Sequence, residues 1–175
     1  MSETFSGSAV ARNHELRVQH VPITHPDAVA LVEEVQQEYV ARYGGRDETP
    51  LEPGEFAPGN GMFFVGYADA VPVATGAWRW HADVEGVDSG PCAEIKRMYV
   101  VASQRRAGHA RVMLRHLERR AAGAGAAVMI LETGTMQPEA ISLYESSGYQ
   151  PVPGFGFYRE AAMSRCYAKA LPPGE

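Results

Sequence analysis

Glu94-Ile95-Lys96-Arg97-Met98-Tyr99-Val100-Val101, followed shortly by Arg105-Arg106-Ala107-Gly108-His109-Ala110, is the stretch whose reading decides the fold of this chain. Residues 93–101 alternate and then turn apolar, the pattern of a long strand. Beyond the turn, Ala110, Met113, Leu114, Leu117 and Ala121 recur at helical spacing and predict a helix from about Gly108 to Ala122 with one buried stripe. The first N–H groups of a helix have no partner inside it, and the helix dipole favours negative charge there. A strand running into such a turn is therefore a candidate anion site. Gly108 lets the backbone approach a bulky phosphate, Ala110 keeps the next turn thin, and Arg105 and Arg106 add positive charge at the rim. Spacing alone fits equally well a loop followed by a surface helix with solvated arginines.

Working outward from this junction, the order of elements reads αβββαβαβ, a mixed α/β domain rather than regular βαβ repeats. Residues 1–13, rich in serine and small side chains, read as a flexible N-terminal tail, and 14–175 as a single domain. Residues 14–21 alternate weakly and suggest an opening strand. Thr24-His25-Pro26-Asp27 has the form of a capping box, and Ala28, Val32, Val35, Tyr39 and Tyr43 follow at helical spacing until Gly44-Gly45. The stretch 44–61, with glycines, prolines and acidic residues, is expected to be a loop or broken helix, long enough to carry function. Strands are predicted at 62–67 and 71–80, joined by a turn at Asp69-Ala70. After a polar turn and the central strand and helix, 127–131 reads as a short buried strand. Pro138 opens a helix that Gly148 ends, 155–158 is a Gly-aromatic loop, and 163–169 alternates as a last strand.

Composition narrows the function. A net charge of −5 argues against general nucleic-acid binding, which needs clustered Lys and Arg. No apolar run approaches a membrane span, and the first residues carry no apolar signal core, so no membrane partner is expected. Two cysteines far apart, Cys92 and Cys166, build no disulfide framework and make a reducing cytoplasm the expected compartment. GxxxxGK[ST], HExxH, GxSxG and CxxC are absent, no GxGxxG joins a strand to a helix, and the six histidines show no metal-ligand spacing.

The segment from Glu94 to Val100, with Arg105-x-x-Gly108-x-Ala110, resembles the central motif of the GNAT superfamily of N-acetyltransferases. Ala140-Ile141-Ser142-Leu143-Tyr144-Glu145-Ser146-Ser147-Gly148-Tyr149 is similar to that family's downstream A-x-x-L-Y-x-x-x-G-[F/Y]. The two motifs, in order, span about residues 93–150. Gln137 departs from the asparagine often found there, which puts a side-chain contact from it to the cofactor in doubt. The resemblance implies a mostly antiparallel twisted sheet, splayed at the cofactor site and flanked by helices. It implies acetyl-CoA as cosubstrate without a metal, its diphosphate on the N–H groups of Arg105, Arg106, Ala107, Gly108, His109 and Ala110. Backbone groups of Met98, Tyr99 and Val100 would hold the thioester and pantetheine, with an N–H there polarising the thioester carbonyl. Homodimers are frequent in the family.

Acetyl transfer needs a neutral amine and a protonated leaving thiolate. An alkyl amine with a pKa of about 10.4 is mostly charged at neutral pH, so a base or a desolvating site is required. Glu94, eleven residues before Arg105, stands where some relatives carry a catalytic glutamate; the ordinary alternative is a strand carboxylate paired with Lys96 or Arg97. Tyr144 is the expected acid for the thiolate, against the alternative of a core tyrosine. Neither cysteine has a basic neighbour in sequence, so direct transfer is expected rather than an acyl-enzyme. For the acceptor, Arg42 and Arg46 suggest a carboxylate grip, and Asp47, Glu48, Glu52 and Glu55 an attraction for cations, unless all are simply solvated. A small-molecule amine acceptor, a protein or peptide acceptor, and a non-catalytic acyl-CoA sensor all remain open.

Overall fold

The computed structural model describes residues 15–87 and 90–174, so the expected N-terminal tail and residue 14 lie outside the described residues. The chain forms strand β1 (Arg17–His20), helix α1 (Pro26–Tyr43), strands β2 (Gly61–Ala68), β3 (Val71–His81) and β4 (Cys92–Val100), and helix α2 (His109–Gly123). Strand β5 (Val128–Gly134), helix α3 (Pro138–Ser146) and strands β6 (Gln150–Val152) and β7 (Ser164–Ala170) complete it. All seven strands join one sheet in the order β1-β2-β3-β4-β5-β7-β6, and only β4 and β5 run parallel. This is the mixed, mostly antiparallel α/β architecture anticipated above.

Two layers of side chains follow from the alternation of β3. Ala74 and Trp78 point to the face covered by α2, where Met113, Leu114, Leu117 and Ala121 join them in the main core. Ala77 points to the opposite face, where Phe63, Val65, Ala28 and Leu31 pack beneath α1. Further along that sheet a third cluster gathers Cys92, Val128, Ile130, Cys166 and Phe155. The turn from β2 to β3 is the two residues Asp69 and Ala70, with φ of 49° and 65°. Positive φ at both positions suits the twist of the strands it joins.

Two local expectations need correction, the cap of α1 and the end of β5, and two details add to the pattern. Thr24 does not cap α1: His25 does, its Nδ1 accepting the Asp27 N–H at 3.2 Å with Pro26 next in line, while the Asp27 carboxylate accepts from the Tyr67 hydroxyl at 2.7 Å. A ring nitrogen does here what a hydroxyl was expected to do. The loop 44–61 contains a short 3₁₀ turn, Pro53–Phe56, which buries Phe56. Strand β5 continues past 131 to Gly134, because β7 pairs with it along its full length. Finally, β6 is a strand that the pattern did not predict, three residues held by β7 alone.

Leu117 is fully buried where α2 meets the sheet. Leu117→Ala should cost about 2–5 kcal/mol of unfolding free energy, read as a lower urea midpoint with an unchanged slope.

Candidate active site

The parallel ladder between β4 and β5 is short. Cys92, Ala93 and Glu94 pair with Val128, Met129 and Ile130, and there it stops, although β4 runs on to Val100 and β5 to Gly134. Past the Glu94–Ile130 pair the two strands are no longer bonded to each other, and the sheet is open between them. On its other side β4 is bulged: its register against β3 passes from Ala77↔Lys96 to Thr75↔Tyr99. Arg97, at the bulge, takes a φ of 50°, and its carbonyl accepts the buried Thr75 hydroxyl at 2.7 Å. A bulge of this kind re-aims the side chains and backbone groups that follow it, here Met98 and Tyr99.

From the end of β4 the chain passes through a short 3₁₀ turn, Ala102–Gln104, into the turn before α2. Arg106 and Gly108 both have positive φ, 64° and 83°, and Gly108 is the residue that caps the helix. A Cβ placed on Gly108 would meet nothing within 4 Å, so the approach to the turn is open. Among the described residues, the N–H groups of Arg106, Ala107, Gly108 and Ala110 donate to no protein acceptor. The turn thus fits a diphosphate through its backbone. The Arg105 side chain is committed elsewhere: its Nε donates to the Val100 carbonyl at 2.9 Å, its guanidinium pairs with Glu38, and it lies 5.6 Å from the Tyr99 ring centre. Arg106 is exposed.

The end of β5 beyond the split lines a cavity of about 480 Å³. Its walls are the end of α1 with the loop after it (Tyr39, Tyr43, Arg46, Asp47), the end of β5 that β4 no longer pairs (Glu132, Thr133), and Tyr158 with the residues leading into β7. The loop is pinned. The Gln36 side chain bonds the Asp47 backbone twice, at 2.9 and 3.3 Å, and Asp47 pairs with Arg97 from the bulge. The Tyr158 hydroxyl accepts the Glu48 N–H at 2.8 Å. Burial acts to raise the Asp47 carboxyl, but Arg97 and Thr49 outweigh it and hold it low. Burial pushes the Tyr39 phenol up to about 12.

A model of the acetyltransferase (GNAT) family matches residues 28–149, spanning α1, the split strands, the turn and α3. The chain belongs to the GNAT family of acetyltransferases. An IAA acetyltransferase from Azospirillum brasilense is 29% identical over 143 residues, which cover 82% of this chain and 90% of that one. Among solved structures, a Klebsiella pneumoniae protein described as an acyl-CoA N-acyltransferase matches with a TM-score of 0.70 at 24% identity, covering 91% of this chain and 99% of its own. A GNAT family acetyltransferase from Elizabethkingia anophelis with acetyl-CoA bound matches with a TM-score of 0.60 at 12% identity, over 89% and 98% of the two chains. GNAT enzymes use acetyl-CoA, and this protein is an acyltransferase of that class.

Tyr144 and Glu94 sit differently in this GNAT site. Tyr144 is buried, its hydroxyl 3.9 Å from the Met98 sulfur and its ring edge-on to Tyr149. Glu94 is 2% exposed and does not line the cavity; its carboxylate accepts from Arg79 Nε at 3.0 Å and Lys96 Nζ at 3.1 Å. Of Lys96 and Arg97, Lys96 is its partner, and Arg97 goes to Asp47 instead. Arg42 and Arg46, expected as open cations, are closed on Glu38, Glu139 and Glu33. The Gln137 amide donates to the Tyr43 hydroxyl at 3.3 Å. Burial pushes both cysteine thiols up, away from the thiolate form a nucleophile needs. Glu132 was missed, because the strand was read as ending one residue earlier.

Gly108→Glu should abolish the rise in melting temperature that CoA gives the parent, by placing bulk and negative charge at the open turn. A thermal scan with and without CoA reads the difference.

Proposed function

We propose that this enzyme moves the acetyl group of acetyl-CoA directly to the primary amine of a small molecule. The observation that carries this reading is the split between β4 and β5. On its β4 side it leads to the open helix-capping turn, and on its β5 side to the cavity walled by α1, β5 and Tyr158. In this reading, the N–H groups around Gly108 bind the diphosphate. Backbone groups of β4 from Met98 to Val100 hold the pantetheine and thioester, and one of their N–H groups supports the developing oxyanion. The volume of the cavity suits a small acceptor, within the usual range of about 300–1,000 Å³ for such ligands. The raised thiols of Cys92 and Cys166 favour direct transfer over an acyl-enzyme.

Tyr144 supplies the proton for the departing thiolate. Burial pushes its phenol well above the ordinary tyrosine range, so it is protonated throughout the working range, and its hydroxyl faces Met98 on the strand that would carry the thioester. A tyrosine merely filling the core would be replaceable by phenylalanine.

Thiol release from acetyl-CoA with a panel of amines, amino acids and peptides tests the reading. Small amines should support turnover and peptides should not. Efficient turnover of peptides would move the enzyme to the protein-modifying class, and CoA binding without turnover would make it a sensor. Tyr144→Phe should lower kcat by about 10²–10⁴-fold with CoA affinity little changed. Full activity in that variant would return Tyr144 to a packing role.

A further inference from the structure

We infer that Glu132 is the carboxylate that takes the proton from the incoming amine, and that this amine is a cationic one carrying no carboxylate beside its nitrogen. The inference rests on the acetyl-transfer reading above and deepens it.

The geometry begins with the split. Glu132 lies on β5 two residues beyond the last pair with β4, on the cavity wall and opposite Cys166 of β7. It stands at the edge of a buried line of charge in which every other member has an opposite partner. Arg79 bonds Glu55 at 2.6 Å and Glu94 at 3.0 Å, Lys96 bonds Glu94, and Arg97 bonds Asp47. Glu132 has no ion-pair partner of its own among the described residues. Burial pushes its carboxyl up to about 7; Lys96 of β4 draws it down, Glu94 and Asp47 push it up, and the Tyr158 N–H draws it down. A half-buried carboxyl on the cavity wall, poised near neutral pH, is suited to accept a proton from an ammonium. Glu94 is not so placed, since Arg79 and Lys96 occupy its two oxygens.

The same inventory selects the acceptor. The charged residues on the wall are Arg46, Asp47, Glu48 and Glu132. Arg46 closes on Glu33 with two bonds, at 2.9 and 2.8 Å, and Asp47 is held by Arg97. The two wall groups left without an ion partner among the described residues are both carboxyls, Glu48 and Glu132. Around them stand the rings of Tyr39, Tyr43 and Tyr158, whose faces attract cations. Among the described wall residues a substrate carboxylate would find one cation, Arg46, and would have to take it from Glu33.

The step balances as follows. The ammonium gives one proton to Glu132, and the freed lone pair attacks the thioester carbonyl carbon. The C–N bond forms, the C–S bond breaks, and the sulfur leaves with its electron pair and takes the Tyr144 proton. The Tyr144 phenolate then takes the surplus proton of the new amide nitrogen, and Glu132 returns its proton to water.

The experiment is thiol release from acetyl-CoA between pH 6 and 9, with phenethylamine and phenylalanine as a matched pair. For the parent, kcat/KM with phenethylamine should fall tenfold per unit below about pH 7, because Glu132 is then protonated. Glu132→Gln should lower kcat/KM by about 10²–10⁴-fold at pH 7.5 and replace the levelling above pH 7 with a tenfold-per-unit rise continuing to pH 9, because the neutral amine must then come from solution, with the thermal shift from CoA unchanged. Glu132→Asp, which keeps a carboxylate, should retain the levelling at reduced rate. Phenethylamine should exceed phenylalanine at least tenfold. A Glu132→Gln enzyme with full rate and the parent's levelling above pH 7 overturns the base, and a preference for phenylalanine overturns the acceptor class, while acetyl transfer itself stands. A parent that CoA stabilises but that releases no thiol with any amine overturns the acetyl-transfer reading and this assignment with it.

Discussion

The architecture is organised around two parallel strands that stay bonded for only three residue pairs. A sheet normally satisfies the N–H and C=O groups of each inner strand from both sides. Here β4 and β5 part after Glu94 and Ile130, and each is left with one row of groups facing the other across a gap. A ligand able to lie in that gap as an extra strand meets donors and acceptors already aimed at it. The bulge at Arg97 adds to this by turning the next residues of β4, and it needs the Thr75 hydroxyl to hold its carbonyl. Because β4 leads straight into the turn capped by Gly108, one continuous piece of chain presents both the gap and the anion site.

The charged groups beside the gap answer a different need. Burying Arg79, Glu94, Lys96, Arg97 and Asp47 costs desolvation that their mutual attraction only partly offsets, so such a line is a poor way to gain stability. It does fix geometry. Arg97 reaches from the bulge to Asp47 and ties the loop after α1 to the central strand, while Gln36 grips the same loop from the helix. The wall of the cavity is thereby referenced to the central strand that leads into the open turn before α2. Glu132, next to this line but outside its pairing, keeps the freedom to gain and lose a proton.

The parts of this architecture legible in the sequence were those written in local pattern. The alternation of 93–101, the turn before Met113 and Leu114, and the stripe of α2 are each set by neighbours a few residues apart. What escaped was non-local or very short. Three residues including Pro151 carry no period, so β6 is visible only through its bonding to β7. His25 as a cap looks unlike the serine or threonine usually sought. Glu132 is an unremarkable acid in the sequence; its setting is made by Glu94, Lys96, Asp47 and Tyr158, brought together from three separate segments. Arg42 illustrates both limits, since its partner Glu38 is one helical turn away and its partner Glu139 belongs to α3.

The strand order carries a consequence for how the molecule is made. Strand β7, last in the chain, inserts between β5 and β6, both of which precede it. On an elongating chain β5 therefore has an open flank and β6 has no neighbour at all until β7 emerges. The first five strands and two helices have the means to assemble among themselves, but Tyr158 and the residues leading into β7 take their places only when that strand docks. Maturation of the acceptor side is thus coupled to the slowest class of contact, a pairing between distant segments. Damage to β7 would fall first on the cavity wall and on β6, and only afterwards on the turn capped by Gly108.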